Sequence, residues 1–448
     1  MNFNVIGYGL DSLVTSYLLL EKGHEVTLYS GGNKLAGHFA GLKNDHSRFD
    51  VGMVLLEKED RGEAQVDISE YKNEFGYRSR KFLLQTFSEI QRILGECEPH
   101  KIKTLLSNGT EEADYFISDN LEAFNYLKNG DQAAFMRNIV NITEGQVPEF
   151  THPKMKWDAE LFEQNSVSLN LEIMYGKNIY QEYFGKFLNA LVGSSKTTLP
   201  MRFHRKVWIP LYYPESFLPK TKQFSNEVSP LEFFRFKNTS VATSIEKLIF
   251  KLNKNAQFKL INTPFAQFSG EAFKSKQSIY FLSIDDLNKF ISIPSVQDFS
   301  LQMSKELVIL NSNSIKFLHV CIPAAENKTV FLQDPVSGLF RYSIYNSIGN
   351  NLSTACFEFG AGAPETLGGM IQVVRSFLDM DKILCEGQLN SINFVQKYHS
   401  MGINDWNRMM VEVSDSLKSP NDIVHIVHPE GLSINDNFTR GLAAVSRI

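Results

Sequence analysis

The sequence predicts an α/β protein, and two stretches predict it. The first thirty residues run strand, glycine turn, helix, strand. Apolar runs at 315–322, 329–333, 339–345 and 353–359, separated by turn residues, have the spacing of an antiparallel sheet.

In the opening unit Asn4-Val5-Ile6 is a short apolar strand and Gly7-Tyr8-Gly9-Leu10-Asp11-Ser12 a tight turn. Leu13 to Lys22 reads as a helix closed by Gly23, and Glu25 to Tyr29 as a second strand. Gly7 permits the turn, and Gly9 lets backbone approach a pyrophosphate, which then lies against the N–H groups of the helix start. The unit is a Rossmann-like βαβ that implies a dinucleotide. Three residues depart from the usual pattern. Ser12 stands where a third glycine lets helix and strand pack closely, Ser16 replaces an alanine, and Ser30 stands where an acid grips the ribose hydroxyls. Asp11 also puts a carboxylate near the phosphate position, although it suits the helix dipole.

The 448 residues are enough for about three domains' worth of chain and for large cores. With 43% hydrophobic and 21% charged residues the composition is that of an ordinary soluble protein. A formal net charge of -5 gives no reason to expect nucleic acid or an anionic membrane surface as partner. Phenylalanine is frequent, 35 copies against 3 Trp, which thick cores explain. Cys97, Cys321, Cys356 and Cys385 lack CxxC spacing and read as reduced thiols. The first strand begins within a few residues, so a signal peptide is not expected and a cytoplasmic location is. Runs such as Leu18-Leu19-Leu20 are too short to span a bilayer.

After the second strand comes a glycine-rich loop, Gly31 to Gly41, containing Ala36-Gly37-His38; Arg48-Phe49-Asp50-Val51-Gly52-Met53 follows. A glycine loop ending in Gly-His and then Phe-Asp-x-Gly resembles the flavoproteins grouped around amine oxidases, protoporphyrinogen oxidases and UDP-galactopyranose mutases. The resemblance implies that the loop at Gly37 and His38 passes the FAD pyrophosphate, and that Gly52, with Met53 beside it, lies close to the isoalloxazine ring. Where the family usually has Gly-Gly, this chain has Ala36-Gly37.

Glu57 to Glu74 is charged and reads as an exposed connection, and Arg78 to Leu94 has a helical apolar recurrence. Asp158 to Val192 reads as mostly helical, with Tyr175, Tyr180, Tyr183 and Phe184 as a core stripe. Arg202 to Pro214 concentrates cations and aromatics, among them His204, Arg205 and Tyr212. Such a run is either a solvated face or a holder of a phosphorylated or carboxylated ligand. Similar segments ending in Tyr-Tyr-Pro-Glu belong to the substrate half of the flavoproteins. Ser244 to Leu252 is a helix, 257–262 a strand and 278–283 another; the resemblance makes this the return to the FAD domain. The stretch Asn238 to Thr243 lacks the glycines that the family often has before this helix. Arg341, within a strand, is open to two readings: an anion clamp on a pocket wall, or half of a cross-strand ion pair.

The chain closes with a strand at 422–427 and then Asn435-Asp436-Asn437, three N-cap residue types, so a helix is expected from Phe438 through Val445. The resemblance implies that Asn435, Asp436 and Asn437 meet the ribityl-phosphate part of FAD. His425 and His428 have no partner at metal-ligand spacing.

The resemblance therefore implies a discontinuous FAD-binding domain (1–75, 236–300 and 420–448) and an α+β substrate domain (76–235 and 301–419) that contains the antiparallel sheet. It implies an FAD-dependent oxidoreductase acting on a small-molecule substrate, with cofactor contacts at Gly7, Gly9, Ser12, Ser30, Gly37, His38, Gly52, Met53, Asn435, Asp436 and Asn437. Substrate contacts are expected at Arg205, Tyr212, Arg341 and Tyr345, which suit an anionic substrate. His204, Tyr345 and Tyr342 are candidate bases, and none of them is assigned. The alternatives are a nucleotide-sugar mutase using reduced FAD, with Arg205 and Arg341 as diphosphate clamps, and a non-catalytic nucleotide-binding or scaffold protein.

Overall fold

A computed structural model describes residues 1–43, 48–58, 80–106, 112–114, 129–144, 166–193, 199, 232–265, 277–282, 307–309, 313–346, 352–378, 385–394, 397–399, 423–426, 433–446 and 448. In chain order its first elements are β1 (Asn2–Ile6), α1 (Leu10–Glu21), β2 (Glu25–Tyr29), β3 (Leu56–Lys58), α2 (Arg80–Leu94), β4 (Cys97–Pro99), β5 (Lys101–Leu105) and β6 (Glu112–Asp114). Then come α3 (Asn129–Thr143), α4 (Val167–Tyr175), α5 (Gly185–Val192), β7 (Glu232–Phe236), α6 (Val241–Lys254), β8 (Phe258–Ile261) and β9 (Gln277–Leu282). The last are β10 (Asn313–Pro323), β11 (Lys328–Val336), β12 (Leu339–Asn346), β13 (Leu352–Phe359), α7 (Leu367–Leu378), β14 (Cys385–Phe394), β15 (Ile423–Ile426) and α8 (Ile434–Ser446).

Five strands form a parallel sheet in the order β8-β2-β1-β9-β15. Its strands come from three distant parts of the chain, at 2–29, 258–282 and 423–426. Helix α1 is buried on nearly every side because α8 covers the face that the sheet does not. The two helices approach closely at Gly441, where a Cβ would stand 3.0 Å from Val14 Cγ1. Helix α6 contributes Val241, Ile245, Leu248 and Leu252 to the same core.

Helix α2 belongs to this core as well. Phe87, Ile90, Ile93 and Leu94 pack with α1, α6 and α8, although the sequence reading assigns residues from 76 onward to the other domain. The expected exposed connection from Glu57 also needs correction at its start, since Glu57 lies in β3 and is buried. Strand β3 pairs with β7, which pairs with β4.

A seven-stranded sheet runs β14-β10-β13-β12-β11-β5-β6, antiparallel except where β11 meets β5. Its two faces differ in chemistry because side chains alternate along each strand. Leu318, Val320, Val330, Tyr342, Ile344 and Phe357 lie on one face and pack with Met370 and Val374 of α7. The register puts Thr329, Arg341, Ser343, Cys356, Glu358 and His319 on the other, where they are buried too. Of the expected aromatic stripe, Tyr175, Tyr180 and Phe184 are buried, and Tyr175 stacks on Phe135 with centroids 5.3 Å apart and lies 4.6 Å from Phe184.

Candidate functional site

The glycine turn between β1 and α1 is built as tightly as its sequence suggests. Gly7, at φ 147°, donates its N–H to Tyr29 O (2.9 Å), and a Cβ there would meet Ser12 Oγ at 2.5 Å and Phe281 O at 2.6 Å. Gly9 has ordinary extended backbone and is half-exposed; a Cβ on it would lie 2.4 Å from Asp11 Oδ1 and 3.8 Å from Asn437 Oδ1. Ser12 is fully buried behind the turn, its hydroxymethyl group fitting because Gly7 has no side chain.

The glycine-rich loop folds back onto this turn, Ala36 N–H donating to Tyr8 O at 2.6 Å. Ala36 has φ 64°, a left-handed backbone that costs a residue with a Cβ about 1–2 kcal/mol. Gly37 follows with φ 54°, and beside a Cβ placed there only the Tyr8 ring comes as near as 4.0 Å. His38, in the 3₁₀ turn Gly37–Ala40, is exposed. Surrounding protein pulls its imidazole down to about 4 by desolvation. Ser30 is buried and donates to Asn262 Oδ1 at 2.5 Å.

The second motif is anchored from two sides. The Asp50 carboxylate accepts from the first amides of α6, Val241 N (3.0 Å) and Ala242 N (2.8 Å), which supplements the Ser240 hydroxyl cap on Thr243 N. The start of α6 therefore takes a side-chain carboxylate. Burial pushes the Asp50 carboxyl up to about 6 against the opposing pull of the two amides. Behind it, His319 Nε2 meets Asp50 O at 3.0 Å; a carbonyl only accepts, so this nitrogen carries the proton. Gly52 has φ 72°, and a Cβ on it would stand 2.7 Å from the Phe317 ring and 3.4 Å from Glu358 Oε2. The Cys356 thiol, raised by burial and by Glu358, is hydrogen-bonded to the Gly52 backbone. Met53 is buried beside it. The polar face of the seven-stranded sheet is thus the bed on which Asp50 to Met53 lies.

Of the two sequence readings of Arg341, the structure supports the ion pair. Arg341 Nε and Nη2 reach Glu358 Oε1 and Oε2 at 2.9 and 2.5 Å across β12 and β13, with both side chains at most 4% exposed. Its guanidinium lies 5.1 Å from the Phe331 ring centroid and 5.6 Å from that of Phe340. Arg341, expected as a substrate contact, is thus engaged by Glu358. Tyr342 faces the apolar side, 5.6 Å from Phe357, and is removed as a candidate base. Tyr345 points to the polar face, is half-buried, and has its phenol raised by burial; the His100 ring lies 6.1 Å away. His204, Arg205 and Tyr212 lie outside the described residues.

The C-terminal helix starts earlier than its sequence suggests. Ser433 is the cap: Asp436 N donates to Ser433 Oγ (3.1 Å), while Ser433 N and Oγ donate to Asp436 Oδ2 (3.0 and 2.6 Å). This reciprocal arrangement is a capping box, with an Asp in the place of the usual Glu. Asn435 holds β3, accepting from Glu57 N at 3.1 Å and donating to Glu57 O at 3.0 Å. Asn437 Nδ2 donates to Ser433 O at 2.8 Å. Asp436 and Asn435, expected at the cofactor, are engaged in protein bonds, whereas Asn437 stands near Gly9. The sequence reading misses one pair altogether: Arg440 Nε reaches Asp11 Oδ2 at 3.0 Å, both residues being almost fully buried. The signal was present: Arg440 is the one cation of this helix and lies beside the run Gly441-Leu442-Ala443-Ala444-Val445.

Among the described residues no group of three or more His, Cys, Asp or Glu could hold a metal, and no helix is long and apolar enough to cross a membrane.

The architecture resembles the folds of several solved oxidases and oxidoreductases. Among solved structures, one provisionally described as a protoporphyrinogen oxidase from Exiguobacterium sp. 255-15 aligns over 100% of this chain and 98% of its own, with a TM-score of 0.53 and 11% identity. Putrescine oxidase bound to putrescine aligns over 100% and 98%, with a TM-score of 0.56 and 11% identity. An oxidoreductase from Methanosarcina mazei aligns over 99% and 100%, with a TM-score of 0.51 and 10% identity. At such identities the likeness is one of fold. No protein-family model and no curated protein matches the chain.

Proposed function

We propose that this protein is an FAD-dependent oxidoreductase of the amine oxidase and protoporphyrinogen oxidase type, acting on a small-molecule substrate. The observation that carries the reading is Ala36. An alanine held at φ 64° by its hydrogen bond to the glycine turn keeps the loop on a glycine-like path at a cost, and strain retained beside such a turn is a feature of ligand sites.

The residues present fit a dinucleotide. Gly9 is accessible, Gly37 has open space where a Cβ would be, and the first-turn amides of α1 have no backbone acceptor within the helix. Gly9, Gly37 and His38 would hold the pyrophosphate, with Asn437 beside them, and the Asp50–Met53 segment would flank the flavin ring. Bound FAD supplies the acceptor for hydride removed from a C–N or C–C bond. This chain's part is positioning and exclusion of water. His319, Cys356 and the Arg341–Glu358 pair fix the second motif, and His38, neutral at pH 7, offers a hydrogen bond without a charge. Tyr345 remains the candidate proton-handling group on the polar face. The mutase alternative loses one of its two clamps, since Arg341 is occupied by Glu358.

The test is direct. Native protein should show a two-banded flavin spectrum, and acid should release FAD identifiable by chromatography. Bound NAD or NADP, with no flavin uptake on reconstitution, overturns the proposal.

A further inference from the structure

The Asp11–Arg440 pair is buried directly behind Gly9, the residue whose backbone would face the proposed diphosphate. The Asp11 carboxylate sits at the amide-rich end of α1, where the helix dipole attracts an anion. Its Oδ1 already accepts the Ser12 N–H at 2.9 Å, so one first-turn donor is taken by the protein itself. The same oxygen would be 2.4 Å from a Cβ on Gly9, the residue whose bare backbone is meant to face the phosphate. Arg440 lies on the other side, at Oδ2 and within α8, so the negative end of the pair is turned toward Gly9. Ser30, which takes the sequence position of the usual ribose-binding acid, is bonded to Asn262.

Resting on the FAD reading, we infer that the Asp11–Arg440 pair sets cofactor affinity. It makes the chain hold its flavin dinucleotide as an exchangeable ligand, in place of a permanently retained one. A carboxylate within a few ångströms of the diphosphate opposes binding, and burial keeps water and salt from screening that repulsion. In compensation the pair ties α8 to α1, so the nucleotide domain stays closed when the ligand leaves. Affinity and stability of the empty protein are thereby set against each other at one pair of residues.

The experiment measures two quantities on the full chain: the melting temperature without ligand, and the dissociation constants of FAD, ADP and riboflavin by titration calorimetry. Asp11→Asn should lower the melting temperature, because Arg440 loses its partner, yet bind FAD and ADP at least tenfold more tightly with riboflavin unchanged. The double variant D11S/R440S removes both charges and guards against misfolding of the single one; it should also bind both diphosphates more tightly than wild type. A pair with only a structural role would lower stability in Asp11→Asn and leave diphosphate affinity unchanged or weaker. That outcome overturns the inference while the FAD reading stands. If neither wild type nor either variant takes up FAD or ADP, both fall together.

Discussion

Asp50 and Val241, 191 residues apart in sequence, meet through a carboxylate-to-amide hydrogen bond of 3.0 Å that fastens the second glycine motif to the start of α6. The buried carboxyl titrates near 6, above its ordinary value of 3.8. A raised acid in the folded state holds its proton while the unfolded chain has released it. Stability is therefore full below the unfolded value, falls between about pH 4 and 6, and is flat above. Two units correspond to about 3 kcal/mol. Denaturant unfolding of wild type and Asp50→Asn across pH 3.5 to 7 should show wild type losing roughly that amount relative to the variant. A rise with pH instead would mean that the two amides outweigh burial.

Breaking the Arg341–Glu358 pair should be costly, since either truncation leaves a charge buried in the sheet. Arg341→Met or Glu358→Gln should destabilise by about 3–5 kcal/mol, and the double variant by distinctly less than the sum of the two. Urea unfolding of the four proteins checks this. Additive losses would show that the two side chains do not interact.

Ala36 is a place where this chain can be improved. Replacing it with Gly relieves about 1–2 kcal/mol of backbone strain and returns about 0.4–1 kcal/mol as entropy of the unfolded chain. Ala36→Gly should therefore stabilise by roughly 0.5–1 kcal/mol, whereas Ala36→Val should destabilise. Thermal melts of both variants decide the matter.

Asp436→Ala should cost about 1 kcal/mol through loss of the capping box and leave FAD affinity within about threefold, well under the tenfold that 1.4 kcal/mol represents. A larger loss of affinity would return Asp436 to the cofactor site.

Much of this was legible in the sequence because it is local. The strand, glycine turn, helix and strand at the start depend on neighbours a few positions apart, and so do the four runs of the antiparallel sheet, observed as Asn313–Pro323, Lys328–Val336, Leu339–Asn346 and Leu352–Phe359. Alternation along Leu339 to Asn346 shows that Arg341 and Tyr342 point opposite ways. It does not show which face meets α7, and that choice decides between clamp and ion pair. Asn435-Asp436-Asn437 offered three good caps in a row, and Ser433, supported by Asp436, took the role. Asp11 and Arg440 are 429 positions apart, and only the packing of α8 on α1 makes them partners. The pairing of β5 with β11, parallel within an otherwise antiparallel sheet, likewise has no local signature.

The strand order β8-β2-β1-β9-β15 has a consequence for how the protein is made. Helix α1 (Leu10–Glu21) lacks its cover until α8 (Ile434–Ser446) has been synthesised, and β9 (Gln277–Leu282) lacks its outer neighbour until β15 (Ile423–Ile426) has. Through that interval the nascent protein carries an open sheet edge and the bare apolar flank of α1, the surfaces on which chaperones act and aggregates begin. A truncation before Ile434 would leave the α8-facing flank of α1 uncovered.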